Sequence, residues 1–389
     1  MMRELATFAA RLAAALLPGP LHAWGRAMEA ETSSIGRPAS ALLFALGCLG
    51  CALREAMRFH LFGPAGRGAS APAGSENPHM PLSNSLLDRP RHVAAVCAVV
   101  ATGLGFAYLT AAGAPPRHLV MNGGALALGL LVVVALAWSP RLGGTARGLI
   151  GLALAAVLLL TSLFGVSADG ASRWISIGGL PLQPSLILLP LLALVFARSR
   201  DGLSLLAILV AALAVALQPD RAMAGALAAA MAAVAQVRPG RDARVALGAA
   251  LAALAVTLVR PDISPATPFV DQIFFSSFAV HPLAGAAVVG GAVVMLVPAI
   301  AGLVRDRHDR TAYAVFGAVW LAVILAAALG NYPTPLVGYS GSAILGYVIS
   351  LIGLPPRAGL SREEAGDLDM ADADTGGQSR LCAGLPLSA

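Results

Sequence analysis

The chain has 389 residues, of which 58% are hydrophobic and only 12% are charged, with a formal net charge of +6. A soluble domain carries about 25% charged residues, so this composition excludes an ordinary soluble protein. Every cation is an arginine. The arginines lie in short segments between apolar runs, which indicates membrane orientation and not nucleic-acid binding. Because a bilayer offers backbone groups no water, these runs must be helices. The predicted fold class is an all-α polytopic membrane protein.

Residues 1–62 are predicted to form an N-terminal, membrane-associated module. Leu5–Leu17 has the amphipathic pattern of a helix lying on a membrane surface, and Ala39–Ala56 is a candidate spanning helix. Residues 63–90 are rich in Gly, Pro, Ser and Ala, which is typical of a flexible linker. Residues 357–389 are polar and acidic without periodicity, and are predicted to form a disordered cytoplasmic tail.

The core, residues 91–356, contains ten apolar runs that are predicted to span the bilayer. They cover residues 92–112, 118–138, 147–165, 185–198, 202–217, 222–237, 244–259, 280–304, 311–330 and 336–354. Every second connection is rich in arginine, so the positive-inside rule places both ends of the core in the cytoplasm. The connections 166–184 and 260–279, with the turns Gln218–Asp220 and Asn331–Pro335, then lie on the outer face.

The four cysteines do not have the spacing of a metal or redox site. Cys48 and Cys51 form a CxxC pair inside an apolar run, with no second pair and no histidine nearby, and Cys97 and Cys382 are isolated. Packing of small residues between helices is the favoured interpretation of the pair. We assign no metal ligands from the sequence.

A polar segment rich in glycine and proline, residues 169–185, separates two apolar runs and contains an Arg-Trp pair. Its motif residues are Gly170, Arg173, Trp174, Ile175, Gly178, Gln183, Pro184 and Ser185, and the turn Gln218–Asp220 and the segment Pro335–Ala343 follow along the chain. In this order the three motifs resemble those of the SEDS family (shape, elongation, division, sporulation). These are the FtsW- and RodA-like membrane glycosyltransferases that polymerise lipid-linked peptidoglycan precursor.

The resemblance implies a catalytic aspartate and a diphosphate ligand. Val270–Phe275 lines up with the family's T-D-F-I-F-A context, which makes Asp271 the base that accepts a proton from an attacking sugar hydroxyl. Arg173 would offset charge on the departing polyprenyl diphosphate, since a planar guanidinium suits phosphate oxygens. A divalent cation held by carboxylates is the alternative means of offsetting that charge.

The resemblance also implies substrate-binding roles for further motif residues. These are Trp174, Gln183, Ser185, Asp220, Tyr339 and Ser342. Structural alternatives remain open for each. Arg173 and Trp174 also suit anchoring at the membrane interface. Gln183 and Ser185 also suit capping of the fourth span.

The remaining candidates have structural alternatives of the same kind. Asp220 also suits a solvated turn beside Arg221. Tyr339 and Ser342 also suit packing and hydrogen bonding between helices. Asp271, at the outer end of a span, also suits a helix cap or a solvated residue.

The sequence departs from the family pattern at three places. Leu186 and Leu189 stand where the family's Q-P-S-E-x-x-K has its charged residues, and Ala279 and Val280 stand where it has two glutamates. The long external loop before the aspartate is reduced to Pro261–Val270. An intramembrane ion pair is expensive, so its joint loss indicates a chain that stays folded while its polar machinery is lost or rebuilt.

Three functions are weighed on this basis. The first is a divergent SEDS enzyme of peptidoglycan synthesis, cell division or cell shape, which polymerises lipid II at the outer face of the bacterial inner membrane. By resemblance, its partner is a class B penicillin-binding protein. The second is a catalytically impaired homologue that binds the lipid-linked precursor or acts as a scaffold. The third, a transporter or flippase, is disfavoured because the spans carry few charges at mid-depth.

Overall fold

The computed structural model describes residues 2–17, 21–62, 89–137, 143–168, 171–178, 180–199, 201–260 and 265–356. The chain divides into two compact units, Met1–Ser83 and Asn84–Ala389. The predicted linker, apart from Arg89 and Pro90, and the predicted tail lie outside the described residues, so both remain predictions.

The first unit is built of helices α1 (Met2–Leu16), α2 (His22–Ser34) and α3 (Pro38–Phe62). Helix α1 packs on α3 through small side chains, with Ala6, Ala9 and Ala10 against Ala41 and Ala45, all buried. Small residues let two helix backbones approach closely. Helix α2 was not expected from the sequence, and α3 contains the candidate span.

The second unit is an assembly of mostly apolar helices. They are α4 (Pro90–Ala111), α5 (Pro116–Ala137), α6 (Gly144–Phe164), α7 (Pro184–Ser199), α8 (Gly202–Leu217), α9 (Arg221–Val237), α10 (Arg241–Val259), α11 (Ile273–Val280), α12 (Pro282–Arg305), α13 (Arg310–Leu329) and α14 (Gly341–Ser350). Each of the ten predicted runs falls on one of them. The fold is a polytopic, all-α membrane fold.

Six of these helices, among the residues that the structure describes, are long and apolar enough to cross a membrane: α4, α5, α6, α10, α12 and α13. Helices α7, α8, α9 and α14 are apolar but shorter, and a 3₁₀ turn, Leu351–Gly353, extends α14. Helix α11 lies just before α12. His281 caps α12, since its Nδ1 accepts a hydrogen bond from the Leu283 N–H at 3.1 Å.

The polar connection after α6 is a small antiparallel sheet. Its strands are β1 (Val166–Ala168), β2 (Ala171–Ile177) and β3 (Leu180–Leu182), in the order β1-β2-β3. The sequence predicts a loop here. The two-residue connection of β2 to β3 begins at Gly178, whose φ of +59° is a conformation that suits glycine in a tight hairpin. The sheet satisfies backbone groups that an open loop leaves to water.

Candidate functional site

A cavity of about 520 Å³ lies between the small sheet, helices α5, α7 and α14, and two connections, 265–272 and 331–340. Six residues that the sequence analysis selected line it: Arg173, Trp174, Gln183, Asp271, Tyr339 and Ser342. They come from two of the three motifs, 169–185 and Pro335–Ala343, and from the Asp271 segment, which lie far apart along the chain. The fold therefore brings these motifs to one place.

Arg173 and Trp174 both line the cavity although they are neighbours on one strand. In a regular strand, successive side chains point to opposite faces. Here the pairing of β1 with β2 shifts register between Val166, opposite Trp174, and Ser167, opposite Ser172. Arg173 is thus an extra residue in β2, and a bulge of this kind redirects side chains. The irregularity accounts for both side chains reaching the same cavity.

Asp271 is held in a tight turn at the cavity wall. Its Oδ2 accepts a hydrogen bond from the Thr267 N–H at 2.8 Å, and its own N–H donates to the Thr267 carbonyl oxygen at 3.0 Å. Phe269 and Gln272, on either side, adopt left-handed φ values of +64° and +56°. Such backbone is costly outside glycine and persists where the surroundings hold it.

Partial burial raises the pKa of the Asp271 carboxyl above its usual value. Hydrogen bonds from Thr267 and the positive charge of Arg173 lower it, without cancelling the effect of burial. Arg173 and Asp271 line the same cavity, and the positive charge of Arg173 favours the ionised carboxylate. The cavity thus contains a guanidinium and a carboxyl group whose charges interact.

Asp220 and Ser185 do not line the cavity; they lie fully buried behind Gln183. The Asp220 carboxylate accepts hydrogen bonds from Gln183 Nε2 at 2.8 Å, Ser185 Oγ at 3.1 Å and the Met223 N–H at 3.1 Å. The last bond caps helix α9, where the helix dipole also favours an anion. The alternative of a solvated Asp220 is wrong, because tertiary packing covers the turn.

The same network reaches α14. The Gln183 N–H donates to Ser342 Oγ at 2.9 Å, so one wall of the cavity joins the starts of α7, α9 and α14. Ser185 and Gln183 do lie at the start of α7, as the capping alternative required. Tyr339 stacks on His118, with ring centroids 4.0 Å apart and an angle of 14° between the rings.

Replacing Asp220 by alanine is expected to destabilise the protein far more than removing an ordinary helix cap. The change leaves buried donors of Gln183 and Ser185 unpaired, at about 1–3 kcal/mol each, besides the cap. Asp201 is the matched control, since it caps α8 through the Ser204 N–H at 2.7 Å and is only half-buried. Its replacement by alanine costs about 1 kcal/mol. Unfolding in detergent micelles measures the stability of both variants. Equal losses of stability would contradict the hydrogen-bond network around Asp220.

The residues that depart from the family pattern lie in the cavity wall, in the core or on an exposed helix surface. Leu186 lines the cavity, and Leu189 is buried in the core. Ala279 and Val280 are exposed on α11, away from the cavity. The four positions where the family pattern has charged residues therefore contribute no charge to the cavity.

The described residues do not include a group of three His, Cys, Asp or Glu side chains that could hold a metal ion. Among the described residues that line the cavity, Asp271 is the one acidic residue. A single carboxylate is a poor ligand set for a divalent cation, which takes several oxygen ligands. We therefore derive no step through a cation. Cys382 and Gly170 lie outside the described residues, and Cys48, Cys51 and Cys97 are free thiols.

Several residues of the site were not predicted from the sequence. Asn122 and His118 on α5 hold the Tyr339 segment, Thr267 binds Asp271, and Asn331 lines the cavity. A signal existed for Asn122, because a lone amide in an apolar span usually has a partner. The others carry no local pattern that would single them out.

Comparison with solved structures shows a RodA-like fold. The rod shape determining protein RodA of Thermus thermophilus has a TM-score of 0.50 and 25% identity, and the match covers 67% of this chain and 93% of that one. A RodA variant from the same organism, with one aspartate replaced by alanine, gives 0.48 and 24%, over 67% and 94%. No protein-family model and no curated protein sequence matches the chain.

Proposed function

We propose that the chain is a SEDS-type glycosyltransferase that polymerises lipid II, the lipid-linked peptidoglycan precursor, at the outer face of the bacterial inner membrane. One observation carries the proposal: the cavity unites Arg173 and Asp271, which belong to separate segments of the chain. The fold similarity to RodA, a rod shape determining protein, and the order of the motifs support the same family.

The reaction forms one bond and breaks another. Ionised Asp271 accepts the proton of the acceptor sugar's hydroxyl while that oxygen bonds to the anomeric carbon of the donor. The bond from this carbon to the diphosphate oxygen breaks, and its electron pair leaves with the polyprenyl diphosphate. Arg173 donates charge-assisted hydrogen bonds to the departing phosphate oxygens. The same cation favours the ionised form of the base.

The other lining residues suit a sugar bound between these two groups. Trp174 and Tyr339 offer aromatic rings to the apolar faces of sugars or to a prenyl chain. Gln183 and Ser342 add polar atoms to the wall. Asp220 acts through Gln183, whose amide it orients.

The second candidate is a homologue that binds the precursor without polymerising it. Leu186 favours it, because this leucine takes a place in the cavity wall where the family pattern has a charged residue. A leucine at this position still contacts lipid or sugar surface, but it supplies neither a proton nor a charge. In this case the chain is a precursor binder or scaffold in envelope assembly.

Location and partner follow from the same proposal. The core lies in the inner membrane with both ends in the cytoplasm, as the arginine distribution predicts. The partner is a class B penicillin-binding protein, which cross-links the glycan that this chain polymerises. A transporter is less favoured, because transporters keep their polar groups near the midplane. Here the cavity lies at helix starts and connections.

Reconstitution tests the proposal. The full chain, in liposomes with a candidate class B penicillin-binding protein, is given lipid II, and glycan products are separated by gel electrophoresis. Polymer of defined length supports the enzyme. Binding of lipid II without polymer in any pairing supports the binder, and neither binding nor polymer contradicts both.

Replacing Arg173 by glutamine is expected to weaken binding of lipid II by about 10- to 100-fold. A lost charge-assisted hydrogen bond costs about 1.5–3 kcal/mol, which corresponds to that factor. Arg221 is the matched control. It lies outside the cavity and donates to the Thr257 carbonyl oxygen at 3.1 Å. Thermophoresis in detergent measures the affinity of Arg173→Gln and Arg221→Gln for lipid II. Equal affinities of the two variants would remove Arg173 from the site.

A further inference from the structure

Asn122 is a fully buried amide in the apolar helix α5, and both ends of its side chain are bonded. Its Nδ2 donates to the Gly338 carbonyl oxygen at 2.7 Å, and its Oδ1 accepts from the Ser340 N–H at 3.2 Å. The two bonds flank Tyr339, much as a neighbouring strand pairs with backbone. Because an unpaired amide is costly in apolar surroundings, these bonds fix the backbone around Tyr339.

His118 lies one turn before Asn122, on the same face of α5. Its ring stacks on Tyr339 at 4.0 Å and meets the edge of Phe269 at 5.7 Å. Helix α5 therefore holds the ring of Tyr339 as well as its backbone. The contact with Phe269 extends this hold to the connection that carries Asp271.

Two backbone hydrogen bonds join the Tyr339 segment to the Asp271 turn. The Tyr339 N–H donates to the Phe269 carbonyl oxygen at 2.7 Å, and the Thr334 N–H donates to the Val270 carbonyl oxygen at 2.9 Å. Phe269 has the strained φ of +64°. A residue in that conformation relaxes when its neighbours release it.

We infer that Asn122 is a positioning residue, which sets Asp271 through the Tyr339 segment. Helix α5 provides a rigid support, Asn122 fixes residues 338–340, and these fix the strained turn around Asp271. The bonded contacts form an unbroken chain from the helix to the carboxylate. The inference rests on the proposed function only where the test measures polymerase activity.

The test compares Asn122→Leu with the parent chain in two ways. Turnover of lipid II is expected to fall about 10- to 100-fold, since a misplacement of about 1 Å has that effect. The acid limb of the pH–rate profile moves to lower pH, because a relaxed turn hydrates Asp271 and its pKa falls towards the usual value. Amide hydrogen exchange at Tyr339 and Thr334 becomes about tenfold faster or more.

Thr102→Val is the matched control, because Thr102 is also fully buried and its hydroxyl has no hydrogen-bond partner among the described residues. It is expected to leave turnover, pH profile and exchange unchanged. Asn122→Ser replaces the leucine variant if the latter does not fold.

Either of two outcomes overturns the inference: exchange at Tyr339 and Thr334 that stays at the parent rate, or an acid limb that does not move while turnover falls. A parent chain without polymerase activity refutes the proposed enzyme. In that case amide hydrogen exchange alone tests the role of Asn122, and faster exchange at Tyr339 and Thr334 in Asn122→Leu supports it.

Discussion

Replacing Asp271 by asparagine is expected to lower lipid II polymerisation by about 10²- to 10⁴-fold, the usual contribution of a positioned general base. Asparagine keeps the shape of the side chain and an oxygen for the Thr267 N–H, which lies 2.8 Å from Oδ2. It cannot accept the proton of the sugar hydroxyl. The fold and the cavity therefore persist while the chemistry is lost.

The pH dependence of the parent chain follows from the raised pKa of Asp271. The carboxyl acts as a base only when ionised, so polymerisation falls as pH drops through this pKa. The midpoint of the acid limb is expected above the value of about 3.9 for an ordinary aspartate. Initial rates across a pH series measure it, and a midpoint at or below the ordinary value would contradict burial of the base.

Stability is expected to change with pH in the opposite direction. A carboxyl with a raised folded pKa stabilises the fold most when protonated, so its contribution is full below the unfolded pKa and is lost as pH rises through the folded pKa. Asp271→Asn is therefore no less stable than the parent at neutral pH. Asp242→Asn, on α10 and outside the cavity, is the control. The Asp242→Asn variant is expected to polymerise lipid II at the parent rate. Full polymerisation activity in Asp271→Asn would remove Asp271 from the mechanism.

Replacing Gly346 by alanine is expected to destabilise the fold by about 3 kcal/mol, at the upper end of overpacking. Helix α14 crosses α7 at this glycine, and an added methyl would clash with the Leu186 carbonyl oxygen and approach the Ile187 Cα to 3.1 Å. Both are backbone atoms, so no side chain can turn away. The helices must separate, which pulls Ser342 from the Gln183 N–H and opens the cavity wall.

Gly225 provides the matched control for this substitution. It lies inside α9, and a methyl there meets no atom within 4 Å. Alanine is the better helix former by about 1 kcal/mol, so Gly225→Ala is expected to be neutral or stabilising. Unfolding in detergent micelles compares the two variants, and similar stabilities would contradict close packing of α14 on α7.

Much of the helical core was predictable from the sequence. Apolar runs such as 92–112 and 280–304 have few charges, and a bilayer allows them only helical structure; α4 and α12 lie there. Helices α7, α8 and α9 follow the predicted runs 185–198, 202–217 and 222–237 to within one residue at each end. The last run was less predictable, since 336–354 was expected to span the bilayer and α14 covers only Gly341–Ser350.

The site was predictable as a set of residues but not as an arrangement. The motifs named Arg173, Gln183 and Asp271, and these do line one cavity. Their chemical roles stay predictions. The burial of Asp220 could not be read from Gln-Pro-Asp, which has the composition of an exposed turn, because its partners come from α7.

The sequence by itself determined that this chain is a bundle of membrane helices with a few polar motifs between them, since hydrophobicity and local spacing decide both. Only the tertiary structure decided what the motifs do to each other. A shifted strand pairing turns Arg173 and Trp174 to one side, and Asn122 reaches the Tyr339 segment across more than 200 positions of sequence. Contacts of that range depend on how helices pack, and a local pattern of residues contains no information about which distant backbone will lie beside it.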